Sequence, residues 1–431
     1  MLVQVGADML SVIESKIRKL QQEFSHASSF DFVTNDVKTN SNLSRNWEQT
    51  DAVIYSGDNL ISLRKLLLNG PEIIDLCYID PPYNTGSNFI YPDNRKSPEI
   101  GLLGSHEAWV EFMLPRLVTA RELLKDSGVI AVSIDDYEFP YLKIVMDRVF
   151  GEKNFIGNIV VCRSKNGKGS KKNLASTHEY LLVYGKSNQA TLRGESDEDT
   201  IYDKADAYGK YRIDGLFRKK GEGSLKSDRP LMAFPLYANL ETGEVSVDPR
   251  EGWRKVLPKD SKGIDRRWLW GETTTRERVW QLYSSKNGVI YVKNYAGKED
   301  GQKRKKIRTI WNDPSLYTER ATNEITSIFG QKIFDTPKPI EFIKKIIDAM
   351  SEENAVVLDF FAGSATTAHA IYELNKMNGA NRKCILMESS DQIPTNHVAY
   401  EAGYKRIVDV SIARLEYIKN KDHEFKFEVF E

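Results

Sequence analysis

Cysteines are few in this sequence, and it has no long hydrophobic run. The 431 residues include three cysteines, Cys77, Cys162 and Cys384, each within or beside an apolar, strand-like run. An odd number at these spacings predicts reduced thiols and fits neither a disulfide framework nor a zinc site, so we expect no metal. The N-terminus shows no signal peptide, and no apolar stretch approaches the ~18 residues that cross a bilayer. The sequence therefore predicts a cytoplasmic protein with no membrane partner.

The chain also lacks a net charge, because 61 basic residues balance 61 acidic ones. The balance is uneven along the chain, since residues 204–310 carry 25 Lys and Arg against 14 Asp and Glu. The same region holds most of the tryptophans and loses the regular alternation of strands and helices. We therefore predict four parts: an N-terminal helix and arm at 1–50, a half-domain at 51–185, a basic insert at 186–330 and a second half-domain at 331–431.

Outside the insert, apolar runs of strand length alternate with amphipathic helical patterns. The pattern predicts a helix over 107–125 that Gly128 stops, a strand over 129–134 and a further helix over 141–150. Strands separated by helices of this length are typical of an α/β fold with a doubly wound, mostly parallel sheet.

The most informative motif follows the apolar run at 73–79 and reads Asp80-Pro81-Pro82-Tyr83. Open α/β sheets bind ligands at the C-terminal ends of such buried strands. Two successive prolines remove two backbone donors and leave rigid backbone acceptors beside one carboxylate. The adjoining tyrosine ring offers a face for a planar heterocycle. The motif therefore indicates a site for the exocyclic amine of a nucleobase, and we assign these residues to catalysis.

A second motif joins the apolar run at 355–358 to a helix and contains Asp359, Phe361, Ala362, Gly363, Ser364, Thr366 and Thr367. A glycine turn in this context lets backbone approach a ligand closely. The glycine spacing of a dinucleotide site and the lysine of a phosphate loop are both lacking, and an ordinary tight turn is a further interpretation. The next strand ends at Glu388, where a nucleotide-type fold places an acid on ribose hydroxyls. We therefore predict S-adenosyl-L-methionine as the cofactor.

With these motifs in place, the chain resembles the β-group N6-adenine DNA methyltransferases, especially the modification subunits of type III restriction–modification systems. The matching stretches are Gly57 to Leu60, Tyr78 to Gly86, Phe89 to Tyr91, Val132 to Asp136, His178 to Tyr180, Thr336 to Pro339 and the glycine turn. In this group the catalytic motif comes first, a target-recognition insert follows and the cofactor motif comes last. The chain has this circularly permuted order, although its insert supports no match.

The resemblance implies a Rossmann-like methyltransferase sheet with an inserted α+β target-recognition domain. It implies methyl transfer from S-adenosyl-L-methionine to N6 of an adenine flipped out of double-stranded DNA, within a restriction–modification system. It also implies a homodimer and raises a restriction subunit as a possible partner. N4-cytosine methylation and a non-catalytic DNA-binding subunit stay open as alternatives.

By the same resemblance, Asp58, Asn84, Thr85 and Lys338 join the glycine turn and Glu388 in holding the cofactor. A plain helix start remains an alternative for Asp58, and helix initiation remains one for Lys338. The family's turn usually reads Gly-Ser-Gly-Thr-Thr, and Ala365 replaces its second glycine here. We expect cofactor binding to survive this change, provided that φ is negative at the alanine.

Basic residues in and beside the insert are expected to contact the phosphate backbone, with solvated loops as the alternative. The residues assigned to DNA binding are Arg163, Lys165, Lys168, Lys171, Lys172, Lys303, Arg304, Lys305 and Lys306.

Overall fold

A computed structural model describes residues 48–68, 70–86, 90, 93, 105–167, 173–196, 201–296 and 304–431, together with positions 11, 14, 15 and 18. The predicted N-terminal helix and arm therefore lie almost entirely outside the described residues, as do Lys168, Lys171, Lys172 and Lys303. Internal contacts divide the chain into two units. The first unit is formed by residues 1–195 and 306–431, and the second by residues 196–305.

Helices and strands alternate through the described part of the first segment. In chain order they are β1 (Ala52–Ser56), α1 (Asn59–Leu68), β2 (Ile74–Ile79), α2 (Ser105–Leu123), β3 (Leu124–Ile134), α3 (Phe139–Met146), β4 (Phe155–Cys162) and β5 (His178–Gly185).

Short strands dominate the middle of the chain. They are β6 (Glu195–Ser196), β7 (Lys204–Asp206), β8 (Gly209–Leu216), β9 (Leu236–Ala238), β10 (Val245–Ser246), β11 (Arg254–Val256), β12 (Leu282–Ser284), β13 (Ile290–Tyr295) and β14 (Arg304–Lys305), with helix α4 (Glu272–Glu277) before β12.

Regular alternation returns in the last segment. Its elements are β15 (Ile310–Trp311), α5 (Thr318–Phe329), α6 (Ile340–Met350), β16 (Val356–Asp359), α7 (Thr366–Asn378), β17 (Lys383–Glu388), α8 (Val398–Glu401), α9 (Ile407–Lys421) and β18 (Phe427–Phe430).

One sheet runs through the first unit, in the strand order β15-β4-β5-β3-β2-β16-β17-β1-β18. Neighbouring strands pair in parallel except around β5, which is antiparallel to both β3 and β4. All the other strands of this sheet therefore end at the same edge, which we call the carboxyl edge, and β5 begins there. Strands β2 and β16 are neighbours, so the two motifs found in the sequence follow adjacent strands.

Both faces of this sheet are buried, as alternate residues of β2 demonstrate. Leu76 and Tyr78 belong to one hydrophobic core together with Phe342 of α6. Cys77 and Ile79 belong to the core on the opposite face, which includes residues of α1 and α2. Because side chains alternate across a strand, a continuous apolar run is what a strand covered on both faces requires. The structure has the doubly wound, Rossmann-like architecture that the sequence predicts.

Element boundaries differ from the predicted ones where helices meet strands. Helix α2 ends at Leu123 and β3 starts immediately with Leu124, so Gly128 lies inside a strand and does not stop a helix. The pairing of β2 with β3 shifts register in this region, which leaves the polar start of β3 outside the core. The predicted helix at 141–150 is divided, since α3 ends at Met146 and a π-helical turn follows over Asp147–Gly151.

The regular structure of the second unit consists mainly of short strands. A three-stranded sheet has the order β10-β9-β11, and a four-stranded sheet has the order β12-β13-β8-β7. Both sheets contribute to one hydrophobic core around Trp268, which packs against Phe217 with ring centroids 5.2 Å apart. The unit therefore has a core of its own. Helix α5, which falls within the predicted insert, belongs to the first unit by its contacts.

Three negative findings apply to the described residues. Among them, no helix combines the length and the hydropathy that crossing a membrane requires. The same residues hold no group of three or more His, Cys, Asp or Glu side chains that could bind a metal ion. All three cysteines are free thiols, and Cys77 and Cys384 are buried.

Gly128 provides a test of packing between β2 and β3. A Cβ at this position lies 2.8 Å from the carbonyl oxygen of Lys125 and 3.0 Å from that of Ile74, and neither backbone atom can move alone. We expect Gly128→Ala to lower the free energy of unfolding by about 1–3 kcal/mol, the usual cost of overpacking. Urea denaturation measures this, with Gly157→Ala in β4 as the control, because a Cβ there meets nothing within 4 Å. Equal stability of the two variants would contradict this close packing at Gly128.

Candidate active site

The carboxyl edge of the sheet encloses a cavity of about 280 Å³. Its walls come from turns that follow β1, β2, β16 and β17, all within the first unit. The residues that line it are Gly57, Asp58, Asn59, Tyr78, Asp80, Pro82, Phe112, Arg116, Phe334, Thr336, Pro337, Lys338, Ile343, Asp359, Phe361, Ala362, Gly363, Thr366, Thr367, Glu388, Ser389, Asp391 and Ile407. The two sequence motifs thus contribute to one cavity.

The turn after β2 holds its side chains through hydrogen bonds. The Tyr83 hydroxyl donates to Oδ1 of Asp80 at 2.7 Å. The indole nitrogen of Trp109, in α2, donates to the carbonyl oxygen of Pro82 at 2.7 Å. Because two prolines already restrict the backbone, these bonds leave the turn with one defined arrangement of acceptors.

Lys338 lies in the same cluster as Asp80, a contact that sequence analysis did not predict. Its Nζ atom is 3.1 Å from Oδ1 of Asp80 and donates to the Tyr83 hydroxyl oxygen at 2.7 Å. It also lies 2.8 Å from both carboxylate oxygens of Glu179, the second residue of β5. Lys338 therefore contacts the residues assigned to catalysis, in addition to lining the cavity.

Burial and charge act in opposite directions on this cluster. Burial raises the pKa of Asp80, and the charge of Lys338 partly offsets that rise. Burial by itself lowers the pKa of Lys338, but the charges of Asp80 and Glu179 outweigh it and raise that pKa overall. Burial also raises the pKa of Tyr83, so its hydroxyl stays protonated and keeps donating to Asp80.

The glycine turn between β16 and α7 is shaped around Asp359 and Glu388. The Asp359 carboxylate accepts hydrogen bonds from the Thr367 hydroxyl and from the backbone N–H of Phe361. The Glu388 carboxylate accepts the backbone N–H of Gly363, at φ +55°. Burial raises the pKa of Asp359 to about 7 and that of Glu388 to about 8.

Ala365 adopts a left-handed backbone conformation, with φ +59° and ψ +34°, at the start of α7. The expectation of a negative φ at this position is wrong. An L-residue in this region costs about 1–2 kcal/mol relative to glycine. The methyl group is wholly buried in the core beside α6, and this burial offsets part of the strain. The turn therefore keeps the shape of a glycine turn although it carries an alanine.

Helix α9 supports the glycine turn from behind through residues that sequence analysis missed. Arg414, which is fully buried, donates to the hydroxyl oxygens of Ser364 and Thr366 at 3.1 and 2.7 Å. The Ser411 hydroxyl donates to the carbonyl oxygen of Gly363. Ser364 itself is buried and is not part of the cavity wall. The spacing of Ser411 and Arg414, three apart among apolar residues of a helix, was the available signal.

Asp58 caps a helix and also lines the cavity, so the helix start is confirmed and the cofactor contact stays a prediction. Its Oδ1 accepts the backbone N–H groups of Leu60 and Ile61, at 2.8 and 3.1 Å, and so caps helix α1. Its Oδ2 forms an ion pair with Arg116 at 3.0 Å, and both residues line the cavity.

Asn84 and Thr85 make their contacts away from the cavity wall. The backbone N–H groups of both residues donate to the carboxylate of Asp93, and the Asn84 side chain donates to Glu138 at 2.7 Å. Asn84 is buried and has φ +59°, a conformation that asparagine tolerates. These contacts organise the chain after Tyr83 and do not support the predicted cofactor contact for either residue.

The basic residues predicted to bind DNA fall into two places. Arg163 and Lys165 follow β4 and therefore lie toward the carboxyl edge, where Arg163 donates to the Ser176 hydroxyl at 3.5 Å. Arg304 and Lys305 form β14, which pairs with β6, and the exposed Lys306 follows directly.

Comparison with known proteins gives a consistent result. A family model described as DNA methylase matches residues 74–395. The type II methyltransferase M.KpnI of Klebsiella pneumoniae is 56% identical over 417 residues, which cover 97% of this chain and 98% of that protein. The Mod subunit of the type III restriction-modification enzyme EcoPI, from Escherichia phage P1, is 31% identical over 86% of this chain and 62% of its own length.

Among solved structures, the M1.HpyAVI–SAM complex aligns with 78% of this chain and 93% of its own, at 13% identity and a TM-score of 0.37. The family model and the relative at 56% identity decide the assignment. The chain belongs to the DNA methylase family, and it is an S-adenosyl-L-methionine-dependent DNA methyltransferase related to those of restriction–modification systems.

Proposed function

We propose that this DNA methyltransferase acts on N6 of adenine at a specific sequence in double-stranded DNA. The observation that carries the proposal is the fixed carboxylate of Asp80 beside a rigid proline backbone at the carboxyl edge. An amine with two N–H groups matches two acceptors. We assign the carboxylate of Asp80 and a carbonyl of the proline pair as the acceptors; the Pro82 carbonyl already accepts the indole N–H of Trp109 and has a second lone pair.

The proposed chemistry depends on orientation and electrostatics. The N6 lone pair of adenine is delocalised into the ring, and two acceptors that hold its N–H groups favour a tetrahedral nitrogen with an available lone pair. The bound cofactor supplies an electrophilic methyl group. The adenine must leave the duplex, at a cost of a few kcal/mol. Stacking on the Tyr83 ring recovers about 1–3 kcal/mol of that cost.

The cavity suits S-adenosyl-L-methionine by its charge and its shape. Its wall carries five acidic side chains, those of Asp58, Asp80, Asp359, Glu388 and Asp391, against two basic ones. Burial raises the pKa of Asp80, Asp359 and Glu388, and a bound cation favours their ionised forms. An acidic wall favours a ligand that carries sulfonium and ammonium charges. At Gly363, where φ is +55°, a Cβ atom would fall 3.1 Å from the Phe334 ring, and both the conformation and this tight contact favour glycine.

We assign the cofactor to this wall, with Glu388 on ribose hydroxyls and Asp58, Phe361, Ala362 and Gly363 around the nucleoside. Asp359, Thr366 and Thr367 line the same wall, and we assign them to the cofactor site as well. Asn84, Thr85 and Ser364, which the resemblance also assigned to the cofactor, are not among the residues that line this cavity.

Adenine is favoured over cytosine by Asp80, because members of the group that act on N4 of cytosine commonly carry serine at that position. The N4 amine has the same chemistry and remains the alternative. A non-catalytic subunit is disfavoured by the intact carboxylate cluster, which a DNA-binding role alone does not require.

We propose that the second unit reads the DNA sequence. Its exposed basic side chains include Lys220, Lys226, Arg229, Arg250, Arg254, Lys255, Lys259 and Lys262. Such side chains suit phosphate contact, which supplies affinity but no sequence information by itself. Arg163, Lys165, Arg304, Lys305 and Lys306 are assigned to the same DNA backbone.

The partnership of the chain is also a proposal. Similarity to M.KpnI over nearly all of both proteins favours a modification enzyme that works without a restriction subunit. The chain spans only about 62% of the length of the EcoPI Mod subunit. The resemblance to such Mod subunits was the reason for considering a restriction subunit as a partner. The homodimer and the cytoplasmic location expected from the sequence are kept as parts of this proposal.

The first test concerns Asp80. Tritiated methyl transfer to unmethylated genomic DNA, followed by nucleoside analysis, is expected to yield N6-methyladenine. Asp80→Ala should lower the rate by at least about 10²-fold, comparable to the loss of one preorganised catalytic contact, while calorimetry should still detect cofactor binding. The outcome that contradicts the proposal is N4-methylcytosine as the product, and loss of cofactor binding would move Asp80 to the cofactor site.

A second test concerns Glu388. Glu388→Ala should weaken cofactor binding by about 1–3 kcal/mol, the range for losing a hydrogen bond to a charged group. Because the alanine also removes the acceptor for Gly363, Glu388→Gln is the matched variant, since its amide oxygen can still accept one backbone N–H. Both variants should bind more weakly in calorimetry.

The pH dependence of binding separates charge from structure at this residue. Burial raises the pKa of Glu388 to about 8, so its carboxylate becomes charged in the folded protein only as the pH passes that value. Affinity for the cofactor should therefore rise through pH values near 8 in the wild type, and Glu388→Gln should lack that step while keeping any change near pH 7 that Asp359 causes. Wild-type affinity in the glutamine variant would remove Glu388 from the site.

A third test exchanges residues 196–305 for the corresponding unit of another β-group enzyme. We expect the methylated sequence to change while adenine remains the target, because the cavity lies wholly in the first unit. Single-molecule sequencing of DNA from expressing cells identifies the methylated sites. Retention of the original site by an active hybrid would refute the role of the second unit.

A further inference from the structure

Glu179 has no role in the proposed function, yet it contacts Lys338, which also contacts Asp80. It is the second residue of β5, and its side chain is 7% exposed. Because β5 alone runs antiparallel in the sheet, its first residues lie at the carboxyl edge, where the parallel strands end. The Glu179 carboxylate therefore contacts Lys338, which lies two residues before the start of α6.

Lys338 is shared unequally between two carboxylates. Its Nζ atom lies 2.8 Å from each oxygen of Glu179 and 3.1 Å from a single oxygen of Asp80. A buried ammonium next to one carboxylate forms a neutral pair, and a neutral pair is a poor acceptor for a further N–H group. Glu179 holds the ammonium in bidentate contact and so leaves Asp80 only partly neutralised.

Both described contacts to the Asp80 carboxylate fall on the same oxygen. The Tyr83 hydroxyl and Lys338 each bind Oδ1. Two donors on one oxygen fix the rotation of the carboxylate about its own axis. Since Asp80 lines the cavity, Oδ2 is the oxygen that we assign to an incoming amine.

The charge of the cluster also suits the reaction. With Asp80 and Glu179 ionised and Lys338 protonated, its net charge is negative. During methyl transfer, the amine nitrogen donates its lone pair to the methyl carbon as the carbon–sulfur bond breaks toward sulfur. The nitrogen then carries positive charge until one N–H proton passes to water. A negative cluster stabilises that charge, whereas an isolated Asp80–Lys338 pair does not.

We propose that Glu179 and Lys338 are positioning residues for methyl transfer, in which Lys338 and Tyr83 fix Asp80 and Glu179 keeps Lys338 from neutralising it. This inference rests on the proposed function, because it takes Asp80 as the acceptor of the amine. It assigns to Lys338 a part in catalytic geometry beyond the cofactor contact that the sequence implied.

The test uses Glu179→Gln, which keeps the shape of the side chain and removes its charge. We expect the single-turnover rate to fall about 10–100-fold, the loss typical when the partner supporting a functional ligand is removed. The dissociation constants for the cofactor and for DNA should not change. The matched control is Tyr180→Phe, the next residue in β5, whose hydroxyl donates to Asp136 and whose variant should keep the wild-type rate.

The pH profile of the single-turnover rate distinguishes positioning from mere stability. The charge of Glu179 raises the pKa of Asp80, and Lys338 lowers it. Without Glu179, the acidic limb of the profile should therefore shift to lower pH while the plateau falls. Glu179→Asp, which keeps the charge, should restore part of the rate and return the limb toward its wild-type position.

Each outcome decides between the proposals. A Glu179→Gln enzyme with the wild-type rate and an unshifted limb overturns this inference, as does a reduced rate that Glu179→Asp fails to raise. If Glu179→Gln does not fold, the test uses the acidic limb of the pH–rate profile in Glu179→Asp and in Lys338→Arg instead. A limb at the wild-type position and a wild-type rate in both variants would overturn the inference. Failure of the wild-type enzyme to methylate adenine overturns the proposed function instead, and Asp80→Ala reports on that independently.

Discussion

Carboxylates that are wholly or partly buried at one edge of the sheet are the constraint on which the rest of the site depends. Asp80, Asp359 and Glu388 each follow or end a parallel strand, and burial raises the pKa of all three. A buried carboxylate costs free energy unless donors surround it. Those donors are backbone N–H groups, hydroxyls and Lys338, so the turns fold around the acids. The same hydrogen bonds that stabilise the fold therefore shape the cavity.

The sheet order explains how residues distant in sequence form that edge. β2 and β16 are neighbours, so the motif after Tyr78 and the turn after Leu358 meet although the second unit separates them in the chain. The reversal of β5 places the beginning of a strand, with Glu179, among the ends of the others. A permuted order of motifs is compatible with one site, because the strand pairing and not the sequence order determines which turns adjoin.

Much of this could be predicted from local patterns. A continuous apolar run predicts a doubly covered strand, and a proline pair after it predicts a rigid turn, because both depend on neighbours in sequence. The contact of Lys338 with Asp80 could not be predicted, since it depends on how α6 is delivered to the edge. The left-handed Ala365 could not be predicted either, because the surrounding turn and Arg414 impose a conformation that the residue itself disfavours.

The balance of charge in the chain follows from these requirements. A cavity for a cationic methyl donor and an amine needs acidic walls, and the described cavity has five acidic side chains against two basic ones. A polyanionic substrate suits the opposite sign, and residues 204–310 carry 25 basic against 14 acidic side chains. Since the chain is neutral overall, the rest of it carries the compensating negative charge. A net charge of zero therefore conceals a basic segment and an acidic cavity wall, and the proposed function assigns a different ligand to each.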